Sequence, residues 1–359
     1  MCLYPKLIPN RRYLPSKKNG GVAPVCTDER LRYVTAECGD CYECRRQKQR
    51  QWQVRMQEEL RENPNAYFMT LTIDDKNYKE LKKAAEDKTD NGIATIAMRR
   101  MLERIRKKTG KSVRHWFVTE LGHEKTERLH LHGIVWGIGT DKLVEEKWNY
   151  GIIFTGFWVN EQTVNYITKY MLKVDEKHPM FRGKVLCSAG LGSGYMKRAD
   201  SKNNRYQKGK TNETYKFRNG VKVNLPIYYR NKLYSEEERE MLFLDKLDKG
   251  IIWVMGQPVK ADDYKNYEAL LREARDYTGK LLFDKPKDWE QRKYINRLKR
   301  QRNYYENKES KVVKELKRKE KKAEQKLDRD LDMFANLQAN SLYSTNSFTE
   351  HLGPGGLGV

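Results

Sequence analysis

Leu129-His130-Leu131-His132-Gly133-Ile134-Val135-Trp136 opens with apolar and polar residues in alternation. A period of two is that of a β-strand, and it turns His130 and His132 to the same side of a sheet. Upstream, Trp116-Phe117-Val118-Thr119-Glu120-Leu121-Gly122 is a second apolar run ending in a carboxylate. The polar stretch from Gly122 to Arg128 reads as the turn of a hairpin that brings Glu120 beside the histidines. Downstream, Val164-Asn165-Tyr166-Ile167-Thr168-Lys169-Tyr170-Met171-Leu172-Lys173 has no Gly or Pro and fits a helix. Residues four apart share a helical face, so Tyr166 and Tyr170 are neighbours, with Lys169 and Lys173 one position round. Taken singly, a His-x-His strand is more often structural and a tyrosine pair more often core packing. In this order, they suggest phosphodiester chemistry: a tyrosine oxygen attacks phosphorus, lysines offset charge, and a hard divalent cation held by two imidazoles and a carboxylate polarises the phosphate.

The 359 residues are enough for one large or two modest domains with a real core. A net charge of +23 exceeds what solubility needs and points to a polyanion, nucleic acid before a membrane surface. No apolar run is long enough to span a bilayer, and Met1-Cys2-Leu3-Tyr4-Pro5 does not open a signal peptide, so a cytoplasmic protein is expected. In a reducing compartment the six cysteines are poor disulfide partners. Cys38-x-x-Cys41-x-x-Cys44 has the spacing of a metal knuckle, with Cys26 or Cys2 as a further thiolate for Zn²⁺; free thiols in a poorly ordered arm are the plainer alternative.

Along the chain, residues 1–62 read as a Cys-rich basic arm followed by a helix from Arg45 to Glu62 with a Trp52, Met56, Leu60 stripe. Arg45, Arg46, Lys48 and Arg50 are candidates for phosphate contacts. Residues 63–180 read as the catalytic core: a strand from Tyr67 to Ile73, a helical segment from Asp74 to Lys111, the hairpin, a short helix from Lys142 to Tyr150, a strand over 151–155 and the tyrosine helix. This succession predicts an α+β fold, an antiparallel sheet with helices on one face. Residues 181–257 form a Gly-, Tyr- and Lys/Arg-rich extension. Gly190-x-Gly192-x-Gly194 in it is a weak phosphate-cradle signal, and its aromatic residues either stack on unpaired bases or pack as loop. Ser235 with Glu238 makes a capping box for a helix to Lys249, and Gly256-Gln257-Pro258 reads as a hinge. Residues 258–339 read as a charged helical region and residues 340–359 as a disordered tail.

The strand Phe68-Met69-Thr70-Leu71-Thr72, the pair His130-Leu131-His132 and Tyr166-x-x-x-Tyr170 with Lys169 resemble the three ordered motifs of HUH endonucleases, the rolling-circle replication initiators. The chain resembles most closely the initiators of microviruses, in particular the gokushovirus branch. Cys38-Gly39-Asp40-Cys41-Tyr42-Glu43-Cys44-Arg45, Tyr150-Gly151, Ser188-Ala189-Gly190-Leu191-Gly192 with Tyr195, and Leu225-Pro226-Ile227-Tyr228-Tyr229-Arg230 carry that likeness, which runs to about Leu247. It implies a central five-stranded antiparallel sheet with the tyrosine helix against it. It further implies Tyr166 and Tyr170 as nucleophiles, Lys169 as a phosphate-side helper, and His130 and His132 as ligands of Mg²⁺ or Mn²⁺. Glu120 is the third ligand, with Glu124 and Glu127 close enough to compete. The implied partners are single-stranded or melted viral origin DNA and the polymerase and helicase of a bacterial host. The implied activity is nicking and joining through a 5′-phosphotyrosine linkage. A transposase or relaxase of the same superfamily, and a non-catalytic zinc-containing nucleic-acid-binding protein, are the rival readings.

Overall fold

Residues 129–136 form a strand, as their alternation predicts, and it lies at the centre of a five-stranded sheet. The computed structural model describes residues 1–122, 127–156, 159–283, 289–290, 292–296, 313–326 and 329. In chain order, β1 (Lys6–Pro9) and β2 (Tyr33–Ala36) pair with each other, and α1 spans Tyr42–Glu62. Then come β3 (Ala66–Thr72), α2 (Asp75–Ala84), α3 (Asp90–Thr109), β4 (Arg114–Leu121), β5 (Leu129–Trp136), α4 (Thr140–Lys147) and β6 (Ile153–Gly156). The tyrosine segment is α5 (Glu161–Thr168), continued by a 3₁₀ turn over Lys169–Met171. After it lie β7 (Val185–Cys187), the pair β8 (Thr214–Lys216) and β9 (Lys222–Asn224), α6 (Ile227–Leu233), α7 (Glu236–Asp248), the hairpin β10 (Ile251–Val254) and β11 (Gln257–Lys260), and α8 (Tyr264–Gly279).

The main sheet has the order β6-β3-β5-β4-β7 and is antiparallel throughout, the α+β architecture expected. Its fifth strand, β7, lies in the segment read as an extension. Helices cover both faces rather than one. Met69, Leu71, Phe117, Leu131 and Val135 pack against Leu81 of α2, Ile93, Met98 and Met101 of α3 and Val144 of α4. On the opposite face Trp116, Val118, Ile134 and Trp136 meet Met56 of α1 and Val164 and Ile167 of α5. The sheet is apolar on both sides because β4 and β5 are buried almost throughout, broken on the second face by the two histidines and Glu120. Gly133 is required by this packing: a Cβ there would stand 2.0 Å from the Phe117 ring.

The helical stretch from Asp74 to Lys111 is two helices. Asp74 caps the first and Thr89 the second through their side chains, and between them Lys88 takes a left-handed φ of 51°. Gly110, left-handed at φ 74°, ends α3, so Gly110-Lys111-Ser112 stops a helix instead of opening one as in a phosphate-binding loop. The Trp52, Met56, Leu60 stripe of α1 faces the sheet as its spacing predicts. Arg45, by contrast, is buried and bonded to Asp40, which removes it from the candidate phosphate contacts.

A second core forms where the 181–257 segment meets α1. Tyr195, Tyr215, Tyr229 and Tyr234 pack with Val54, Leu225 and Leu242, so these tyrosines are interior groups and not a platform for bases. Two buried carboxylates of α1 hold this layer. Glu58 accepts from Arg198 and the Tyr215 hydroxyl; Glu59 accepts from Arg114 and from the Gly192 amide at 2.7 Å. Gly192 sits against the Arg55 carbonyl, where a Cβ would come within 2.3 Å, so the glycine run packs on a helix and cradles no phosphate. Ser235 and Glu238 form the expected capping box of α7. Gly256-Gln257-Pro258 turns the β10–β11 hairpin and is not a hinge.

Residues 1–289 form one compact unit and 290–359 a second. In the second, residues 313–326 are helical, in keeping with a charged helical region. The expected tail over 340–359 lies outside the described residues. No helix among the described residues is long and apolar enough to cross a membrane.

Candidate active site

Three adjacent strands set the site by register. Glu120 of β4 and Thr72 of β3 both stand opposite His130 of β5, and Thr70 stands opposite His132. Cross-strand partners point to the same side, so the two histidines, Glu120 and the two threonines share one face. The hairpin reading of 116–136 therefore brings Glu120 to the histidines as its spacing requires.

His130 donates its Nδ1–H to the Arg128 carbonyl at 2.6 Å, which leaves Nε2 as a bare lone pair. Burial is the main cause holding its pKa below the ordinary value, so the imidazole is neutral near pH 7. His132 Nε2 lies 2.7 Å from Glu120 Oε2, and its Nδ1 lies 3.0 Å from the Thr70 hydroxyl. With Nε2–H donating to the carboxylate, Nδ1 accepts from Thr70. Burial works against the Glu120 carboxylate, but hydrogen bonds from His132 and Lys173 outweigh it and hold the carboxyl below its usual range.

The tyrosines lie directly over this group. The Tyr170 ring stacks on His132 with centroids 4.2 Å apart and planes 3° from parallel. Its hydroxyl and that of Tyr166 are 2.8 Å apart, the rings edge to face. Phe68 packs against both His132 and Tyr166. Tyr166 is 53% exposed, whereas burial and then the bond to Tyr166 push the Tyr170 phenol well above its ordinary pKa. Asn160 and Thr163 cap the start of α5. At its end the Thr168 hydroxyl turns back onto the Val164 carbonyl, and the chain tightens into the 3₁₀ turn that carries Tyr170.

Of the two lysines, Lys173 is the one engaged: it pairs with Glu120 and lies 5.8 Å from the Tyr170 ring centroid. Lys169 is exposed at the end of α5. Glu127 pairs with His178 and Lys177, away from the histidine face, and Glu124 lies outside the described residues. Sequence reasoning gave Thr70 no chemistry, yet it fixes His132. Its strand partner in the register was the only available signal. Phe154, 62% exposed on edge strand β6 and opposite Thr70, also belongs to this face.

The expected zinc ligands come together with one correction. Cys2, Cys38, Cys41 and Cys44 place their sulfurs within 4.8 Å of one another. Cys26 stands apart, its thiol donating to the Asp28 carbonyl at 3.0 Å, because the chain returns to the knuckle through β1 and the Cys2–Leu3 segment. Among the described residues this is the one group of three or more ligand-type side chains so closely gathered.

Residues 66–175 match the family model of the replication-associated protein ORF2. The match runs from β3 through the histidine strand and both tyrosines, just under a third of the chain, and supports a role in replication initiation. No curated protein and no solved structure matches the chain.

Proposed function

We propose that this protein is a phage replication initiator that cuts and rejoins single-stranded or locally melted origin DNA through a tyrosine-linked intermediate, starting and ending rolling-circle replication. The observation that carries this reading is the stacking of Tyr170 on His132 with the Tyr166 hydroxyl bonded to that of Tyr170. Two nucleophile-bearing side chains thereby meet two imidazoles, a carboxylate and an ammonium group on one sheet face.

In the proposed reaction a phenol oxygen forms a bond to phosphorus as its proton leaves, and the bond to the 3′-oxygen breaks, that oxygen taking up a proton. The phosphodiester becomes a 5′-phosphotyrosine and a free 3′-hydroxyl, so no bond energy is lost and no nucleotide is consumed. Host polymerase and helicase would then act on the 3′ end. Tyr166, the more exposed phenol, is open to a strand without side-chain movement, and Tyr170 is the second acceptor. Lys173 offsets charge on the phosphate more directly than Lys169, while Phe154 gives a base an exposed ring to stack on. The donor set fits Mg²⁺ or Mn²⁺: His130 Nε2 carries a free lone pair, Glu120 is an anionic oxygen donor, and ligation by His132 Nε2 replaces its present bond to Glu120. A divalent ion held by His130, His132 and Glu120 would supply Lewis-acid polarisation of the phosphate.

The test is a denaturing gel for a covalent protein–DNA adduct, with labelled single strands of the parent genome in Mn²⁺ or chelator. Tyr166→Phe, Tyr170→Phe, the double variant and His130→Ala are run beside the native chain. An adduct that needs the ion and is lost in the double variant and in His130→Ala supports the proposal. Tight DNA binding with no adduct on any strand overturns it in favour of a non-catalytic binding protein. A single tyrosine accounting for all strand transfer would move the chain toward relaxases and transposases.

A further inference from the structure

The four gathered cysteines come from two distant parts of the chain. Cys38, Cys41 and Cys44 wrap the start of α1, and Cys2 reaches them from the N-terminal segment. We propose that Cys2, Cys38, Cys41 and Cys44 bind one zinc ion as a closed tetrathiolate that fastens the N-terminal segment to the start of α1.

Sulfurs around a tetrahedral zinc at ~2.3 Å each stand about 3.8 Å apart. Here Cys38 to Cys44 and Cys41 to Cys2 are both 3.9 Å. Backbone amides complete the set: Leu3 N–H points at Cys41 Sγ (3.4 Å), Cys38 N–H at Cys2 Sγ (3.2 Å) and Cys41 N–H at Cys38 Sγ (3.3 Å). A neutral thiol is a weak acceptor, whereas a metal-bound thiolate is a strong one, so three convergent donors favour the charged form. Cys41 and Cys44 also lie at the N-terminus of a 21-residue helix, whose dipole favours negative charge.

Four thiols binding Zn²⁺ release four protons and leave a complex of charge −2. Arg45 follows Cys44 directly, and Arg275 donates twice to the carbonyl of Leu3, next to Cys2, so cations stand on two sides. Thiolates are soft donors and select zinc over the hard ions suited to the histidine face. With four protein ligands no position is left for substrate, so the role is structural. Asp40, inside the knuckle, accepts from both Arg45 and Arg182, which ties the loop to the segment following the tyrosines. Arg275 lies over Tyr4 and Trp289, and Trp289 Nε1 donates to the Pro5 carbonyl at 2.8 Å, so α8 closes on the same N-terminal segment.

The experiment is elemental analysis of the full chain purified with reductant and desalted. One zinc per chain is expected, kept in Cys26→Ser, Cys187→Ser and His130→Ala and lost in Cys2→Ser. Retention in His130→Ala separates this ion from any at the candidate active site, whatever the outcome of the adduct assay. Should Cys2→Ser be insoluble, organomercurial titration of the native chain decides: zinc leaves in step with four of the six thiols. Zinc below about a tenth of an equivalent, zinc kept at full occupancy in Cys2→Ser or after four thiols have reacted, or bound iron or copper in its place, overturns the proposal.

Discussion

Gly133 follows the two histidines for a steric reason and not for flexibility. Its missing side chain lets the Phe117 ring lie flat against β5 on the face opposite the histidines. Gly133→Ala forces that ring or the strand to shift, and overpacking of this kind costs about 1–3 kcal/mol. A matching fall in urea-unfolding stability is expected, with the chain still folded. His115 offers a second check at this scale. Burial holds its pKa below the ordinary 6.5, and its Nδ1 lies 2.9 Å from the Val113 carbonyl and 3.0 Å from the Ser188 hydroxyl. The unfolded chain therefore takes up this proton at a higher pH than the folded one. Stability is unaffected above 6.5 and falls as pH drops below it toward the folded value. His115→Gln should flatten that acid limb when melting temperature is followed between pH 7.5 and 5; an unchanged slope would sink the assignment.

At the scale of elements, α1 is the member on which the rest is assembled. One face carries Met56 onto the sheet, another carries Val54 into the tyrosine-rich second core, and Glu58 and Glu59 lie between them, 1% and 0% exposed. On sequence alone these carboxylates belong to a basic, Gln-rich helix with a solvated face. In the fold they are anchors for Arg114, Arg198, Tyr215 and the Gly192 amide. Removing one member of a buried ion pair strands the other and costs about 3–5 kcal/mol. Glu59→Ala is accordingly expected to destabilise the chain by that amount in chemical denaturation, while Glu62→Ala, whose carboxylate stands at the helix end beside Gly194, costs much less.

At the scale of the molecule, the matched segment 66–175 contains the histidines and both tyrosines but not a complete support for them. It lacks α1, which covers the face the site opens on, and β7, which pairs with β4 from Trp116 to Val118. A fragment of residues 63–180 is therefore expected to be unfolded or aggregated, with little dispersion of amide resonances. The 1–289 unit, which retains both, should unfold cooperatively. Equal folding of the short fragment would show that α1 is dispensable.

Local periodicity made part of this protein legible without coordinates. Alternation placed His130 and His132 on one face, the spacing of Tyr166 and Tyr170 made them neighbours, and Ser235 with Glu238 marked a helix start, because each depends only on how a short run of backbone directs its side chains. Long-range choices were settled by the path of the chain. Cys2 and not Cys26 joins the knuckle, Lys173 and not Lys169 meets Glu120, and a three-residue strand too short to show a period closes the sheet. The second helical layer and the buried role of Glu58 and Glu59 were likewise hidden. A residue type states which partners it can take, but only packing decides which partner arrives and whether water is left beside it.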